Sequence, residues 1–294
     1  MFCEGTVKST GKKCLKKATY IYQDKRYCGI HCKHTDRKKI GTGGVDIKNQ
    51  TITITLGDRG ENNPGMEIIG NIAKTGFSTE DLENIKEIFD LNEHKTELMY
   101  LNKMFKYDET LPDASILIVR NFVENQESIF DELANLQWDK KMLSRGDVKN
   151  KKARWNLCFD RKHRDSDYEN GKGTIIAFIE VPLFNKLRRR VAEYLSDYFT
   201  GFVAEGNYYY DNQNCGIGYH GDRERKITVG IRFGSSIPLC YYWYKSSERI
   251  GKKMTFMING GDLYIMSDKA VGYDWMKSSI YTLRHAAGCD TYTS

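Results

Sequence analysis

The chain has 294 residues, 40% hydrophobic and 29% charged, with a net charge of +6 and 8 cysteines. That length and apolar content exclude a disordered polypeptide and a disulfide-stapled miniprotein. No apolar run approaches the length of a membrane span, and Met1-Phe2-Cys3-Glu4-Gly5 lacks a signal-peptide core, so the expectation is an intracellular protein, cytoplasmic or nuclear, with reduced cysteines.

The first segment, residues 1–40, is basic, with Lys12, Lys13, Lys16, Lys17, Lys25 and Arg26 among its cations. Cys3, Cys14, Cys28 and His31 form a C-x10-C-x13-C-x2-H pattern. Four soft or borderline ligands close together suit tetrahedral Zn2+, and so few apolar residues would need a metal to hold their fold. Cys32 and His34 are spare ligands, and free thiols in a basic tail are the plain alternative. The pattern resembles a small Cys/His module attached to proteins of large DNA viruses, with Cys3-Glu4-Gly5, Lys8, Gly11, Cys14 and Tyr27-Cys28-Gly29-Ile30-His31 in its key positions.

Gly41-Thr42-Gly43-Gly44 reads as a linker, and residues 45–110 as an α/β connecting segment of unknown role. Within it, Val45 to Leu56 alternates like a strand, Gly57 to Gly65 is a turn-rich loop read as scaffold, and Met66 to Ala73 is a short predicted helix. Ser78 with Asp81 approximates a capping box for a helix whose buried stripe is Leu82, Ile85, Ile88 and Phe89. Ser115 to Val123 reads as a strand and Glu127 to Leu136 as a helix. A second basic cluster runs from Lys149 to Arg164. Inside it, Arg154 to Phe159 predicts a strand with Trp155, Leu157 and Phe159 on one face. Arg154 and Asn156 lie on the other, as candidate substrate contacts. Leu183, Leu187, Val191 and Leu195 mark a packed helix.

From Phe202 onward the chain reads as short strands joined by turns, including Asn259-Gly260, a hairpin signal. His220-Gly221-Asp222 puts an imidazole and a carboxylate two residues apart, on one face of a strand end. A second imidazole from the Arg284-His285 pair would complete the two-His, one-carboxylate triad of non-haem Fe(II) oxygenases.

Asn207-Tyr208-Tyr209, His220-Gly221-Asp222, Gly261-Asp262-Leu263-Tyr264-Ile265-Met266-Ser267 and Leu283-Arg284 together resemble the AlkB-like branch of the Fe(II)/2-oxoglutarate dioxygenases. The likeness is clearest toward the C-terminus, and the whole chain resembles oxygenases encoded by large DNA viruses. It implies an α+β protein: a double-stranded β-helix (jelly-roll) core with flanking helices over residues 111–294, plus the N-terminal zinc module. It further implies Fe(II), 2-oxoglutarate and O2 as reactants, with succinate and CO2 released as a substrate C–H is oxidised.

Carried over, His220 and Asp222 are iron ligands, and Asn207 with Tyr209 (or its neighbour Tyr210) binds 2-oxoglutarate. The branch places its distal His nearer Tyr273-Asp274-Trp275. This chain has no His between Asp262 and Arg284, so His285 is the third ligand by elimination, and Asp274 the lesser alternative. Arg284 matches the cosubstrate arginine, yet adjacent strand residues face opposite sides. If His285 turns inward, Arg232 is the alternative partner of the cosubstrate carboxylate.

Substrate class stays open between three readings. The basic clusters favour a DNA or RNA base, with Tyr241-Tyr242-Trp243-Tyr244 offering stacking surfaces. The others are a protein side-chain hydroxylase and a non-catalytic zinc-bearing binding protein with a degenerate barrel. No membrane partner is expected, and the oligomeric state is not read from the sequence.

Overall fold

In the computed structural model the chain falls into two units, Met1–Asp46 and Ile47–Ser294. Residues 49–294 are described, except 108–109, 196–197 and 199–200, together with the backbone of three short strands nearer the N-terminus. Those strands are β1 (Tyr20–Tyr22), β2 (Lys25–Tyr27) and β3 (Lys38–Lys39), antiparallel in the order β2-β1-β3. The zinc ligands expected at Cys3, Cys14, Cys28 and His31 lie outside the described residues.

The second unit is a mixed α+β fold built mostly of antiparallel strands. It opens with β4 (Thr51–Gly57), the hairpin β5 (Arg59–Glu61) and β6 (Ile68–Gly70), then α1 (Thr79–Leu91) and β7 (Lys95–Tyr100). Next come β8 (Ser115–Arg120), α2 (Gln126–Ala134), the hairpin β9 (Lys141–Ser144) and β10 (Asp147–Asn150), then β11 (Trp155–Asp160), β12 (Ile175–Ala177) and α3 (Pro182–Tyr194). The C-terminal run is β13 (Val203–Tyr209), β14 (Gly216–His220), β15 (Thr228–Gly234), β16 (Ile237–Lys245) and β17 (Glu248–Ile258). It ends with β18 (Leu263–Met266), α4 (Asp268–Val271), β19 (Thr282–Gly288) and α5 (Asp290–Thr293).

Two sheets carry the architecture. The major one has eight strands in the order β12-β11-β13-β4-β15-β18-β8-β7, and the minor one four, β14-β19-β16-β17. From β13 to β16 the chain alternates between them, so each connection passes from one sheet to the other. Their inner faces share a core in which Ile116, Ile118 and Met266 of the major sheet meet Leu239, Trp243, Phe256 and Leu283 of the minor one. The helices α1 and α2 pack on strands of the major sheet.

Several expectations need correcting. β4 is no part of a connecting segment: it pairs with β13 on one side and β15 on the other, at the centre of the major sheet. Its edges are covered by these two strands, and all seven β4 residues are buried. The boundary expected near residue 110 therefore does not exist in the fold. Met66 to Ala73 forms no helix; Ile68 and Ile69 enter β6 instead, where β-branched side chains fit the pleat. Asn259-Gly260 does not close a hairpin, because β17 and β18 belong to different sheets. The capping box at Ser78 and Asp81 is present, but Ile88 faces outward at 42% exposure, as does Leu183 in α3.

Candidate metal centre

The alternating pattern of β4 splits the major sheet into two faces. Ile52, Ile54 and Leu56 point to the helix side. Thr53 and Thr55 point inward, and the register aligns them with polar partners on neighbouring strands. One row reads Asn156, Asn207, Thr53, Arg232 across β11, β13, β4 and β15. The next reads Cys158, Glu205, Thr55, Gly230, Tyr264, reaching β18. Gly230 is required there: a Cβ at that position would lie 2.0 Å from the Tyr264 ring, which leans across the strand.

The minor sheet faces these rows with His220, His285 and Tyr241 in register on β14, β19 and β16. Asp222 follows His220 after one glycine. Gly221 packs so closely on the chain at Gly272 that a Cβ would meet its carbonyl oxygen at 2.1 Å. Ligand atoms of His220, Asp222 and His285 all lie within 4.8 Å of one another. Asp222 Oδ1 is 3.5 Å from Nε2 of each histidine, and the two rings are 4.5 Å apart.

The surroundings tune each group. His220 Nδ1–H donates to the Gly218 carbonyl at 2.8 Å and lies 3.1 Å from that of His285, which leaves the Nε2 lone pair free. Burial, with His285 beside it, pulls His220 down to about 3, so the ring is neutral and able to ligate at neutral pH. Burial opposes the charge of Asp222, but Arg225 and the two imidazoles hold it below the usual carboxylate range. Arg225, 3% exposed, is in turn gripped by Glu205 and Glu224 and lies 3.5 Å from Asp222.

Two cavities meet at this cluster. The wider mouth is lined by Glu61, Pro64, Ile68, Arg154, Trp275 and Met276 among others. The narrower pit takes its walls from Thr53, Asn207, Tyr209, Arg232, Tyr264 and Met266. Both share Glu205, Ile217, His220, Asp222 and Arg225.

Each predicted site residue now has a place. Asn207, Tyr209, Arg232 and the three clustered residues are together. Tyr210 turns to the other face and stacks on Trp155. Arg284 does not join them: it lies 3.9 Å from the Tyr244 ring and 5.0 Å from that of Trp275, on the outer side of its strand. Asp274 is paired with Lys269 at 2.6 Å instead of approaching the histidines. Arg154 lines the mouth, but Asn156 is 1% exposed, lines neither cavity, and donates to Asn207; it is no substrate contact. Tyr241 and Trp243 are core, while Tyr242 and Tyr244 stack against arginines outside the sheet. The mouth's aromatic wall is Trp275.

Sequence reasoning missed Glu61 and Pro64, in a loop read as scaffold, Ile68, in a stretch read as a short helix, Thr53 and Thr55, whose pattern reads only as strand, and Tyr264, which entered only as part of the motif that carries the resemblance. The acid–base cluster around Arg225 was also missed, although Arg223-Glu224-Arg225 directly follows Asp222 and was a signal available.

No helix among the described residues is long and apolar enough to cross a membrane. Cys158, Cys215, Cys240 and Cys289 are free thiols. No protein-family model matches the chain. It is 44% identical over 253 residues to "Uncharacterized protein R156" of Acanthamoeba polyphaga mimivirus, an alignment covering 84% of this chain and 99% of the relative. At that identity and coverage, the chain belongs to the same family as the mimivirus protein.

Proposed function

We propose that the protein is an Fe(II)- and 2-oxoglutarate-dependent dioxygenase with a double-stranded β-helix core, acting on a nucleic acid base. The observation that carries this reading is a two-imidazole, one-carboxylate cluster at the junction of a mouth and a polar pit. The donor set suits Fe(II), which takes imidazole nitrogen and carboxylate oxygen while leaving positions open.

The pit suits a small dianion. Thr53 Oγ1, Arg225 Nη1, Arg232 Nε and His285 Nδ1 are buried polar atoms with no hydrogen-bond partner among the described residues, a costly arrangement unless a ligand meets some of them. Arg232, 1% exposed, would take the distal carboxylate, as Arg284 faces the wrong side. Asn207 and Tyr209 would bind the same acid from β13. Burial keeps the Tyr209 phenol protonated and able to donate.

His220, Asp222 and His285 would hold the iron. Once bound, the metal with 2-oxoglutarate and O2 supplies oxidation of a substrate C–H and releases succinate and CO2. The chain positions the groups: Thr228 and Arg225 fix Asp222, and Trp275 with Met276 lines one side of the mouth. A flat base fits the Trp275 wall. The exposed Lys140, Lys141, Arg145 and Lys149 on and beside the β9–β10 hairpin offer phosphate contacts. A protein side-chain substrate is the second reading, favoured by the carboxyl groups of Glu61 and Glu224 at the mouth, which suit a cationic group.

The test is anaerobic titration of the apoprotein with Fe(II) and 2-oxoglutarate, watching for a weak visible charge-transfer band. The band should form in the wild type, disappear in His285→Ala and persist in Asp274→Ala. No band under any condition sinks the oxygenase reading. Succinate release with methylated oligonucleotides, set against that with lysine- or arginine-containing peptides, then separates the two substrate classes.

A further inference from the structure

Beside the Asn207 wall of the pit runs a buried row of side chains to which the chemistry above assigns nothing. Lys151, 7% exposed, donates to Asn62 Oδ1 at 2.6 Å and to Asn156 Oδ1 at 2.9 Å. Asn156 passes the interaction on, donating from Nδ2 to Asn207 Oδ1 at 2.8 Å. Arg154 Nε donates to that same oxygen at 2.5 Å. Asn207 Nδ2 then donates to Glu205 Oε1 at 3.1 Å.

The ends of the row dictate its direction. The Arg154 guanidinium carries donors and no acceptor, so the Asn207 atom it meets must be oxygen; at the far end Asn62 gives its nitrogen to Asp139 and so turns its oxygen to Lys151, whose ammonium burial pulls down to about 7. With its oxygen on Lys151, Asn156 turns its nitrogen toward Asn207, whose oxygen is claimed twice. One Asn207 N–H goes to Glu205, and the other has no partner among the described residues, in a side chain that lines the pit. The far side of the row is anchored too: Asn62 Nδ2 donates at 2.7 Å to Asp139, which also accepts from Tyr168 and Thr174.

We propose that Lys151 and Arg154 are positioning residues for the cosubstrate, locking Asn156 and Asn207 in the amide orientation that offers an N–H to an acid in the pit. The inference rests on the dioxygenase reading and adds two residues to it. A freely flipping Asn207 would present its carbonyl oxygen to a carboxylate about as readily as its N–H, and would bind the acid less tightly.

The experiment measures 2-oxoglutarate affinity of the Fe(II)-loaded full chain in two ways, by the charge-transfer band and by quenching of tryptophan fluorescence. Fe(II) affinity is measured separately. Lys151→Met is expected to weaken 2-oxoglutarate binding by up to about tenfold, the worth of a buried hydrogen bond, with Fe(II) affinity unchanged. In an Asn207→Ala background the same substitution should add nothing, because its effect travels through Asn207. If Lys151→Met does not fold, Arg154→Gln, at a partly exposed site, is the second variant, expected to lose several-fold in the same affinity. Unchanged 2-oxoglutarate binding, a parallel loss of Fe(II), or fully additive effects with Asn207→Ala would each overturn the proposal. A wild-type protein that binds Fe(II) but no 2-oxoglutarate would overturn the dioxygenase reading beneath it.

Discussion

Over its central strands β11, β13, β4 and β15 the major sheet buries both faces, yet the chemistry of the two is opposite. On the helix side Ile52, Ile54, Leu56, Val229, Ile231 and Phe233 are all 0% exposed and apolar. On the cavity side Thr53, Thr55, Asn156, Glu205, Thr228 and Arg232 are all below 9% exposed and polar. Burial on the first face stabilises the fold through apolar area removed from water. Burial on the second does little for stability, because each polar group lost its water and some gained no protein partner. A face that is buried, polar and incompletely paired is organised for a ligand. Burial alone does not separate core from site; partner satisfaction does.

Adjacent residues of β4 give the sharpest way to break it. Ile54→Ala should cost about 3 kcal/mol by loss of packing in a site with no room to collapse. Thr53→Val should change stability by less than about 1 kcal/mol, since its hydroxyl has no partner among the described residues to lose, and should weaken 2-oxoglutarate binding. Urea melts of both variants check the pair. Equal destabilisation would mean the two faces do the same work, and the contrast would fail.

The same contrast separates two arginines. Arg232 lies on the polar face and lines the pit, while Arg284 stacks on aromatic rings outside the minor sheet. Arg232→Met should lower 2-oxoglutarate affinity 10- to 100-fold, roughly 1.5–3 kcal/mol for a charge-assisted contact. Arg284→Met should change it less than about threefold. Affinity titrations reversing that order would place the cosubstrate on the wrong face.

Much of this was legible in the sequence, for identifiable reasons. The Thr/Ile alternation of residues 51–54 marks a strand, and His220 and Asp222 two apart mark a shared face. The conflict between Arg284 and His285 was legible as a parity problem, and the structure resolves it: His285 is inward, Arg284 outward. What stayed hidden depends on pairing between distant strands. Nothing local shows that Thr53 lies beside both Asn207 and Arg232, or that β4 is central, because register is a long-range property. The stretch from Gly57 to Gly65 reads as a turn, and turn chemistry does not reveal that its hairpin overhangs a cavity. Asn156 misled because a polar residue opposite an apolar strand face suits a buried hydrogen-bond row as well as a binding surface.

Glu61 tests whether the polar face extends into the mouth. Burial pushes its carboxyl up to about 7, with Glu224 and Glu205 adding to the rise. A raised carboxyl keeps its proton in the folded chain where the unfolded chain, with an ordinary value near 4.5, has lost it. Between those two values the folded state binds more protons, so stability falls as pH rises through the window and levels off above about 7. At the rim of an open mouth, solvent screening reduces the effect to about 1 kcal/mol. Glu61→Gln removes the titration, so the variant should gain on the wild type by that amount between pH 5 and pH 8 in paired thermal melts. Parallel melting curves would mean that water reaches Glu61 freely. The buried polar surface would then end at the triad, and the mouth would be ordinary protein exterior.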